Sequence, residues 1–162
     1  MGNGYNETVL EGECSKMRIY EATIADLDGL ASVFNNYRMF YRQDSDLEGA
    51  KVFLRNRIER KESVIFVAVE DDEYIGFTQL YPSFSSISMK DLWILNDLFV
   101  QAAKRGAGTG KKLLEAAKEY ALENGAKGVK LQTEIDNLSA QRLYAENGYL
   151  RDNRYFHYEL TF

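Results

Sequence analysis

The sequence predicts one α/β domain whose strands and helices follow in the order βααβββαβαβ. Two observations carry this prediction. Two apolar runs flank a short charged turn at 71–73, a pattern typical of an antiparallel hairpin. Further along, an apolar run at 92–100 leads through a turn with three glycines in five positions into an amphipathic helix, which is typical of a parallel crossover. The expected sheet is therefore mixed, with antiparallel strands in the first half of the chain.

Periodicity gives the individual elements. Runs of strand-forming residues predict strands at 17–23, 64–70, 74–81, 92–100, 129–133 and 155–162. Apolar residues at helical spacing predict helices from Thr23 or Asp26 to about 37, and at about 47–62, 111–124 and 138–146. The only proline, Pro82, is expected to end the third strand, with a polar loop at 83–90 after it.

Length and composition fit one domain. The chain has 162 residues, of which 45% are hydrophobic, and this is enough for a single core. We predict a domain at 17–162 preceded by an extension at 1–16 that lacks any period. The lone Cys14 excludes an internal disulfide, and neither a membrane span of ~18 apolar residues nor a secretory signal is apparent, so a cytoplasmic location is expected.

The charge distribution favours a small anionic ligand. A formal charge of −5 disfavours a general nucleic-acid surface. The cluster of Lys104, Arg105, Lys111 and Lys112 is a local exception to this acidic balance. We predict no metal.

The glycine-rich turn is suited to bind phosphate, because glycines let a ligand approach the main chain and a helix start adds unsatisfied N–H donors. The turn consists of Arg105, Gly106, Ala107, Gly108, Thr109 and Gly110. It is not a P-loop, since Arg105 stands where that loop needs its first glycine and Lys112 where it needs a hydroxyl. It is not a dinucleotide fingerprint either, since Lys111 replaces the last glycine.

The pattern Arg105-x-x-Gly108-x-Gly110 resembles the phosphate loop of the GNAT superfamily of acyl-CoA-dependent N-acetyltransferases. A second family motif follows in the right order, as Asn137, Ala140, Leu143, Tyr144, Gly148 and Tyr149. The resemblance covers about Met17 to the end of the chain. It implies a strongly twisted mixed sheet with helices on both faces and a splay between the fourth and fifth strands.

The resemblance also implies acetyl-CoA as the co-substrate. The turn at 105–110 is expected to wrap the pyrophosphate, and the main chain at Leu98, Phe99 and Val100 is expected to pair with the pantetheine arm like an added strand. Asn137 is expected to cap the last helix and, with Ala140, to contact the cofactor.

Tyr144 is the candidate proton donor for the departing thiolate, because a phenol is protonated at neutral pH. Packing between helix and sheet is the alternative role. The run at 96–100 looks like a run in diamine and polyamine N-acetyltransferases in which Asn96 replaces a glutamate. Strand alternation predicts that Asn96 and Asp97 point to opposite faces. The general base thus remains open between a side chain and a water relayed by Asn96, Asp97 or Glu134.

The acceptor amine is expected to contact aromatic and polar residues from separate elements. They are Tyr37, Tyr41, Gln79, Tyr81 and Glu134. Packing two helices together is the alternative role of Tyr37 and Tyr41, and a solvated strand-end charge is the alternative role of Glu134. We expect a polyamine or small amine acceptor first, a protein lysine or N-terminal amine second, and aminoglycosides third. An acyl-CoA-binding sensor without turnover is the alternative from another class.

The predicted last strand suggests an assembly. It alternates an apolar face with a mixed one and runs to the chain end, while His157, the only histidine, has a structural or interfacial role in it. Because a terminal strand of this kind exposes aromatics and unpaired main-chain groups, we expect a homodimer.

Overall fold

The computed structural model describes residues 17–162, so the predicted extension at 1–16 lies outside the described residues. Five strands form one sheet in the order β1-β2-β3-β4-β5. The first four pair antiparallel with their neighbours, and β5 runs parallel to β4. In chain order the elements are β1 (Met17–Glu21), α1 (Leu27–Phe40), α2 (Leu47–Glu59), β2 (Val64–Glu70), β3 (Glu73–Ser85), β4 (Lys90–Val100), α3 (Thr109–Glu123), β5 (Val129–Lys130) and α4 (Leu138–Glu146).

Helices cover both faces of the sheet, as the family resemblance implied. On one face α1 and α2 bury a core whose largest fully buried members are Leu30, Leu54 and Phe77. On the other face α3 packs Leu113 and Leu114 against a second apolar cluster of the sheet. The site described below lies on the α1 and α2 face, beside β4.

A β-bulge at Asn96 divides β4 into two halves. Gln79 of β3 lies opposite Asp97, whereas the next residue, Leu80, lies opposite Leu95, so Asn96 has no partner. One extra residue shifts the alternation of side chains along a strand. For this reason Leu95 packs on the α3 face, whereas Asp97 points to the α1 face.

The expectation that Asn96 and Asp97 point to opposite faces is therefore wrong. The bulge breaks the alternation on which it rested, and Asn96 Nδ2 donates a hydrogen bond of 3.1 Å to Asp97 Oδ1.

The sheet opens between β4 and β5. The two strands pair only at Trp93 with Val129 and at Ile94 with Lys130, while β4 continues to Val100. Gln101 N–H donates to the Ile75 carbonyl of β3, so the main-chain groups of the preceding residue, Val100, point away from β3 toward the gap. This gap corresponds to the predicted splay between the fourth and fifth strands.

Several predicted boundaries are wrong. The helix α1 runs to Phe40, beyond the predicted end near 37, and α2 ends at Glu59. Pro82 lies inside β3, where its missing N–H leaves no main-chain hydrogen bond unmade. Its partner on β4, Trp93, donates its N–H to Gly128 on the β5 side, and the pairing with β2 on the other side has already ended at Leu80. The polar loop is accordingly shorter than 83–90, since β3 continues to Ser85.

The end of the chain departs most from the prediction. Only Val129–Lys130 of the predicted strand 129–133 pairs, and the predicted strand 155–162 is absent from the described structure. Its side chains find no apolar surface there, and the Phe156 and Tyr158 side chains are about nine-tenths exposed, at 89% and 93%. Within residues 17–162, no helix combines the length and apolar character needed to span a membrane.

Candidate active site

Asp97 is the centre of the site. Its side chain is buried and accepts three hydrogen bonds from neutral donors: from Tyr37 Oη to Oδ1 at 2.7 Å, from Asn96 Nδ2 to Oδ1 at 3.1 Å, and from Gln79 Nε2 to Oδ2 at 2.9 Å. Among the described residues, no lysine, arginine or histidine forms an ion pair with it. A buried carboxylate is thus held by dipoles alone, which leaves its negative charge uncompensated.

Gln79 extends this network along the sheet. It is fully buried, and its Nε2 donates to Tyr81 Oη at 2.8 Å as well as to Asp97. Its Oε1 accepts from Ser63 Oγ at 3.1 Å. Because a carboxylate only accepts hydrogen bonds, the contact with Asp97 fixes which end of the amide is nitrogen.

Three phenols form a cluster that is joined to Asp97 through Tyr37. Tyr37 lies on α1, Tyr41 is the residue after α1, and Tyr144 lies on α4. The ring centres of Tyr37 and Tyr41 are 5.1 Å apart. Burial, followed by the charge of Asp97, raises the pKa of Tyr37. Burial, then Glu134 and Asp97, raise the pKa of Tyr41. The cluster therefore connects α1, α4 and the loop after β5.

Tyr144 holds its proton firmly. Burial, together with the phenols of Tyr41 and Tyr149, raises its pKa to about 12. No hydrogen bond of its hydroxyl is found among the described residues, and its ring packs against Tyr149 at 5.8 Å. The packing alternative is thus real for the ring, while the hydroxyl stays available to a ligand.

The glycine loop begins α3 with a left-handed backbone. Gly106 and Gly108 have φ of +83° and +82°, values that favour glycine over residues with a Cβ, and Gly108 is the N-cap of the helix. A Cβ at Gly110 would lie 3.2 Å from Leu143 Cδ2, so this glycine also lets α3 approach α4. Conformation at 106 and 108 and packing at 110 account for the three glycines.

The basic cluster is divided in its roles. Lys104 Nζ is 2.6 Å from Glu70 Oε2, so this charge is already paired, and Lys111 faces Glu115 at 3.7 Å. Arg105 Nε donates to the Val100 carbonyl at 3.0 Å, so its guanidinium lies beside the gap.

The other residues predicted to bind the cofactor differ in how far their side chains are buried. Leu98 and Val100 pack toward α3, whereas the ring of Phe99 joins the core under α1. The Thr109 hydroxyl is buried against Met17 Sδ at 3.4 Å, so only the main chain of Thr109 is free for a ligand. Ala107 lies exposed in the turn.

The start of α4 and the loop before it complete the site. Asn137 Oδ1 accepts from Ala140 N–H at 3.2 Å, which is the helix-capping role predicted for it. Glu134 is exposed in the loop that follows β5 and does not end a strand. Its carboxylate therefore stays a solvent-accessible charge that acts on Tyr41.

Sequence reasoning missed two contributors. Phe40 lies between the loop and the phenols, with the Arg105 guanidinium 5.4 Å from its ring centre and the Tyr41 ring 5.2 Å away. The aromatic run at 37–43 was the available signal for it. No sequence signal pointed to Ser63, because only the pairing of β2 with β3 brings it next to Gln79.

This fold, open beside β4 next to a glycine loop, is that of an N-acetyltransferase. The chain belongs to the Acetyltransferase (GNAT) family, which matches residues 30–149. Within the described residues, no group of three or more His, Cys, Asp or Glu side chains could hold a metal ion.

Relatives agree with this assignment. The chain is 55% identical over 145 residues to the uncharacterized N-acetyltransferase YhfO of Bacillus subtilis (strain 168), an alignment that covers 90% of this chain and 97% of the relative. It is 28% identical over 113 residues to a streptothricin acetyltransferase of Escherichia coli, covering 70% of this chain and 55% of that protein. A solved probable acetyltransferase is 43% identical, with a TM-score of 0.85 over 90% of this chain and 97% of that one.

The buried phenols predict a loss of stability in alkali. Burial raises the pKa of Tyr144 from the usual value of 10.0 to about 12, so the folded protein keeps a proton that the unfolded chain loses in this interval. The free energy of unfolding should be unaffected by this group below pH 10 and should fall between about pH 10 and 12. Denaturant unfolding at several pH values should show a shallower fall in Tyr144→Phe.

The slope of the parent protein in the same pH series is the reference for this comparison. An equal slope in the parent and Tyr144→Phe would contradict the account of Tyr144.

Proposed function

We propose that the protein transfers the acetyl group of acetyl-CoA to a primary amine of a small cationic acceptor, a polyamine or similar amine, in a complex that holds both substrates. The buried carboxylate of Asp97 is the observation that carries this proposal. It has three neutral donors and no ion-pair partner among the described residues. An ammonium group would supply the missing positive charge, and buried charges are stable when paired.

The residues around the gap fit acetyl-CoA. When bound, this co-substrate supplies an activated acetyl thioester. The outward-facing main chain of Leu98 and Val100 would hold an extended arm as an added strand, with Phe99 between them facing α1. The main chain of the turn at 105–110 and the start of α3 would hold the pyrophosphate. Asn137 and Ala140, at the start of α4, would contact the arm.

Tyr144 would act as the proton donor. Because burial raises its pKa to about 12, its Oη keeps the proton at neutral pH, and no acceptor for that proton is present in the described part of the chain. A protonated phenol on α4, facing the same cluster as Tyr37 and Tyr41, can protonate the departing sulfur.

Asp97 would bind the ammonium and receive a proton from it. Tyr37 and Asn96 occupy Oδ1, and Gln79 occupies one of the two lone pairs of Oδ2, which leaves one lone pair for the amine. An ammonium loses two protons on becoming an amide. Asp97 accepts one of them, Tyr144 donates its phenol proton to the departing sulfur, and the second proton from the nitrogen restores the phenol of Tyr144. Asn96 would position Asp97, and Glu134 and Tyr41 would attract the amine at the entrance.

The similarity to a streptothricin acetyltransferase supports a small acceptor, since that relative is named for a small molecule. The acidic balance of the chain, with a formal charge of −5, supports a cationic one. The requirement for acetyl-CoA and the lone cysteine support a cytoplasmic location.

We also propose that the protein is a homodimer and that its C-terminal segment forms the interface. Five large apolar side chains there lie on the surface: Tyr155, Phe156, Tyr158, Leu160 and Phe162. An exposed apolar segment of this size favours association, and a second copy would supply an equal and complementary surface.

Deleting residues 155–162 should convert the dimer into a monomer, because it removes the apolar contact. Light scattering at micromolar concentration should give about twice the chain mass of 18.6 kDa for the full chain. A mass near 18.6 kDa for the full chain, with the truncated chain also at the mass of one chain, would refute the dimer.

Tyr144→Phe tests the proposed reaction. The change removes only the hydroxyl, so turnover should fall roughly 10²–10⁴-fold with little change in CoA affinity. Release of CoA thiol across a panel of amines measures turnover, and calorimetry measures CoA binding. Tyr149→Phe, which removes the neighbouring phenol whose ring packs on Tyr144, is the matched control and should retain activity.

Normal turnover in Tyr144→Phe would return this residue to a packing role. Binding of CoA without thiol release on any amine, in the parent protein, would contradict the proposed activity.

A further inference from the structure

The hydroxyl of Tyr81 has a free proton. The amide nitrogen of Gln79 faces both Asp97 and Tyr81, at 2.9 and 2.8 Å, and an amide nitrogen can only donate. Tyr81 Oη is therefore the acceptor in this contact, and its own O–H remains to be donated. No acceptor for it is found among the described residues.

This donor lies close to the anion that would hold the amine. Asp97 Oδ2 and Tyr81 Oη both contact Gln79 Nε2, at 2.9 and 2.8 Å, so they are no more than about 6 Å apart. Gln79 and Tyr81 are two residues apart on β3, so their side chains share the α1 face with Asp97. Tyr81 is only partly buried, so a ligand can reach it. The pocket thus offers one anionic acceptor and one neutral donor side by side.

Once a first ammonium pairs with Asp97, the remaining charges near Tyr81 disfavour a second ammonium there. Burial and Asp97 raise the pKa of Tyr81 to about 12, while Arg57 lowers that pKa by more than Glu62 raises it. Arg57 Nη2 and Glu62 Oε2 are paired at 2.7 Å, with the guanidinium exerting the larger effect on the phenol. A cation at this end would face Arg57, whereas a neutral oxygen would accept the phenol proton without that repulsion.

We propose that Tyr81 makes the site selective for amines that also carry a hydroxyl or carbonyl oxygen two or three carbon atoms from the reacting nitrogen. Such a nitrogen and oxygen are roughly 3–5 Å apart, which fits the spacing of the acceptor and the donor. Asp97 would hold the ammonium and Tyr81 would donate to the oxygen. This inference rests on the proposed N-acetyltransferase function and, among small cationic acceptors, ranks oxygen-bearing amines above the polyamines that the sequence alone had placed first.

A matched pair of amines tests the selectivity. 3-Amino-1-propanol and 1,3-diaminopropane have the same chain length and differ only in a hydroxyl in place of an amine, and glycinamide supplies the carbonyl alternative. Steady-state thiol release should give a kcat/KM roughly 10-fold higher for the amino alcohol or the amide than for the diamine.

Tyr81→Phe should lower kcat/KM roughly 10-fold for the oxygen-bearing amines, mainly through KM, and change the diamine by less than about twofold. The ratio between substrates is the decisive readout, because loss of the Gln79 contact would affect all amines equally. Tyr120→Phe is the control, since Tyr120 packs on Trp93 and Phe66 at the opposite face and should leave the ratio unchanged.

Each other outcome has a definite meaning. An equal loss for all amines in Tyr81→Phe, or a parent enzyme that prefers the diamine, would overturn the selectivity while leaving the N-acetyltransferase function in place. No thiol release with any amine would overturn both.

Discussion

The site depends on the burial of one carboxylate. Asp97 of β4 is removed from water and offset by hydrogen bonds from Tyr37 of α1 and Gln79 of β3. Removing a charge from water costs several kcal/mol, so the donors must stay in place for the fold to keep it there. The same contacts therefore connect the first helix to the sheet, orient Gln79 and Tyr81, and create the negative charge that an amine would seek. The hydrogen bonds of Asp97 thus contribute both to the stability of the fold and to the recognition of the amine.

Much of this arrangement could be predicted from the sequence because local patterns encode it. The glycine-rich turn between β4 and α3 was predicted, and Gly106 and Gly108 have φ of +83° and +82° there. Two apolar runs around a charged turn predicted the β2–β3 hairpin, and helical periodicity predicted α1 to α4 with ends correct to within a few residues. Asn137 was read as a helix cap, and it caps α4. Each of these features is decided by residues close together in the chain.

The features that escaped prediction depend on residues far apart. The bulge at Asn96 follows from the register between β3 and β4, which no local pattern reveals, and it placed Asp97 and Asn96 in contact. The C-terminal run has strand-forming residues, yet a strand needs a partner, and β5 is only two residues long. Ser63 enters the site only through pairing of strands distant in sequence. The strand propensity of a segment shows which secondary structure it favours, whereas the presence of a partner strand decides whether it forms that structure.

The most direct test of this account is the affinity of a cationic amine for Asp97→Asn, measured by calorimetry with CoA present. The change removes the charge and keeps the shape, so the amine dissociation constant should rise at least about 10-fold while that of CoA stays within about twofold. Asp71→Asn, in the exposed β2–β3 turn, gives the same change in net charge away from the site and should leave both constants unchanged. A folded Asp97→Asn protein that binds the amine as tightly as the parent would contradict the central role of Asp97.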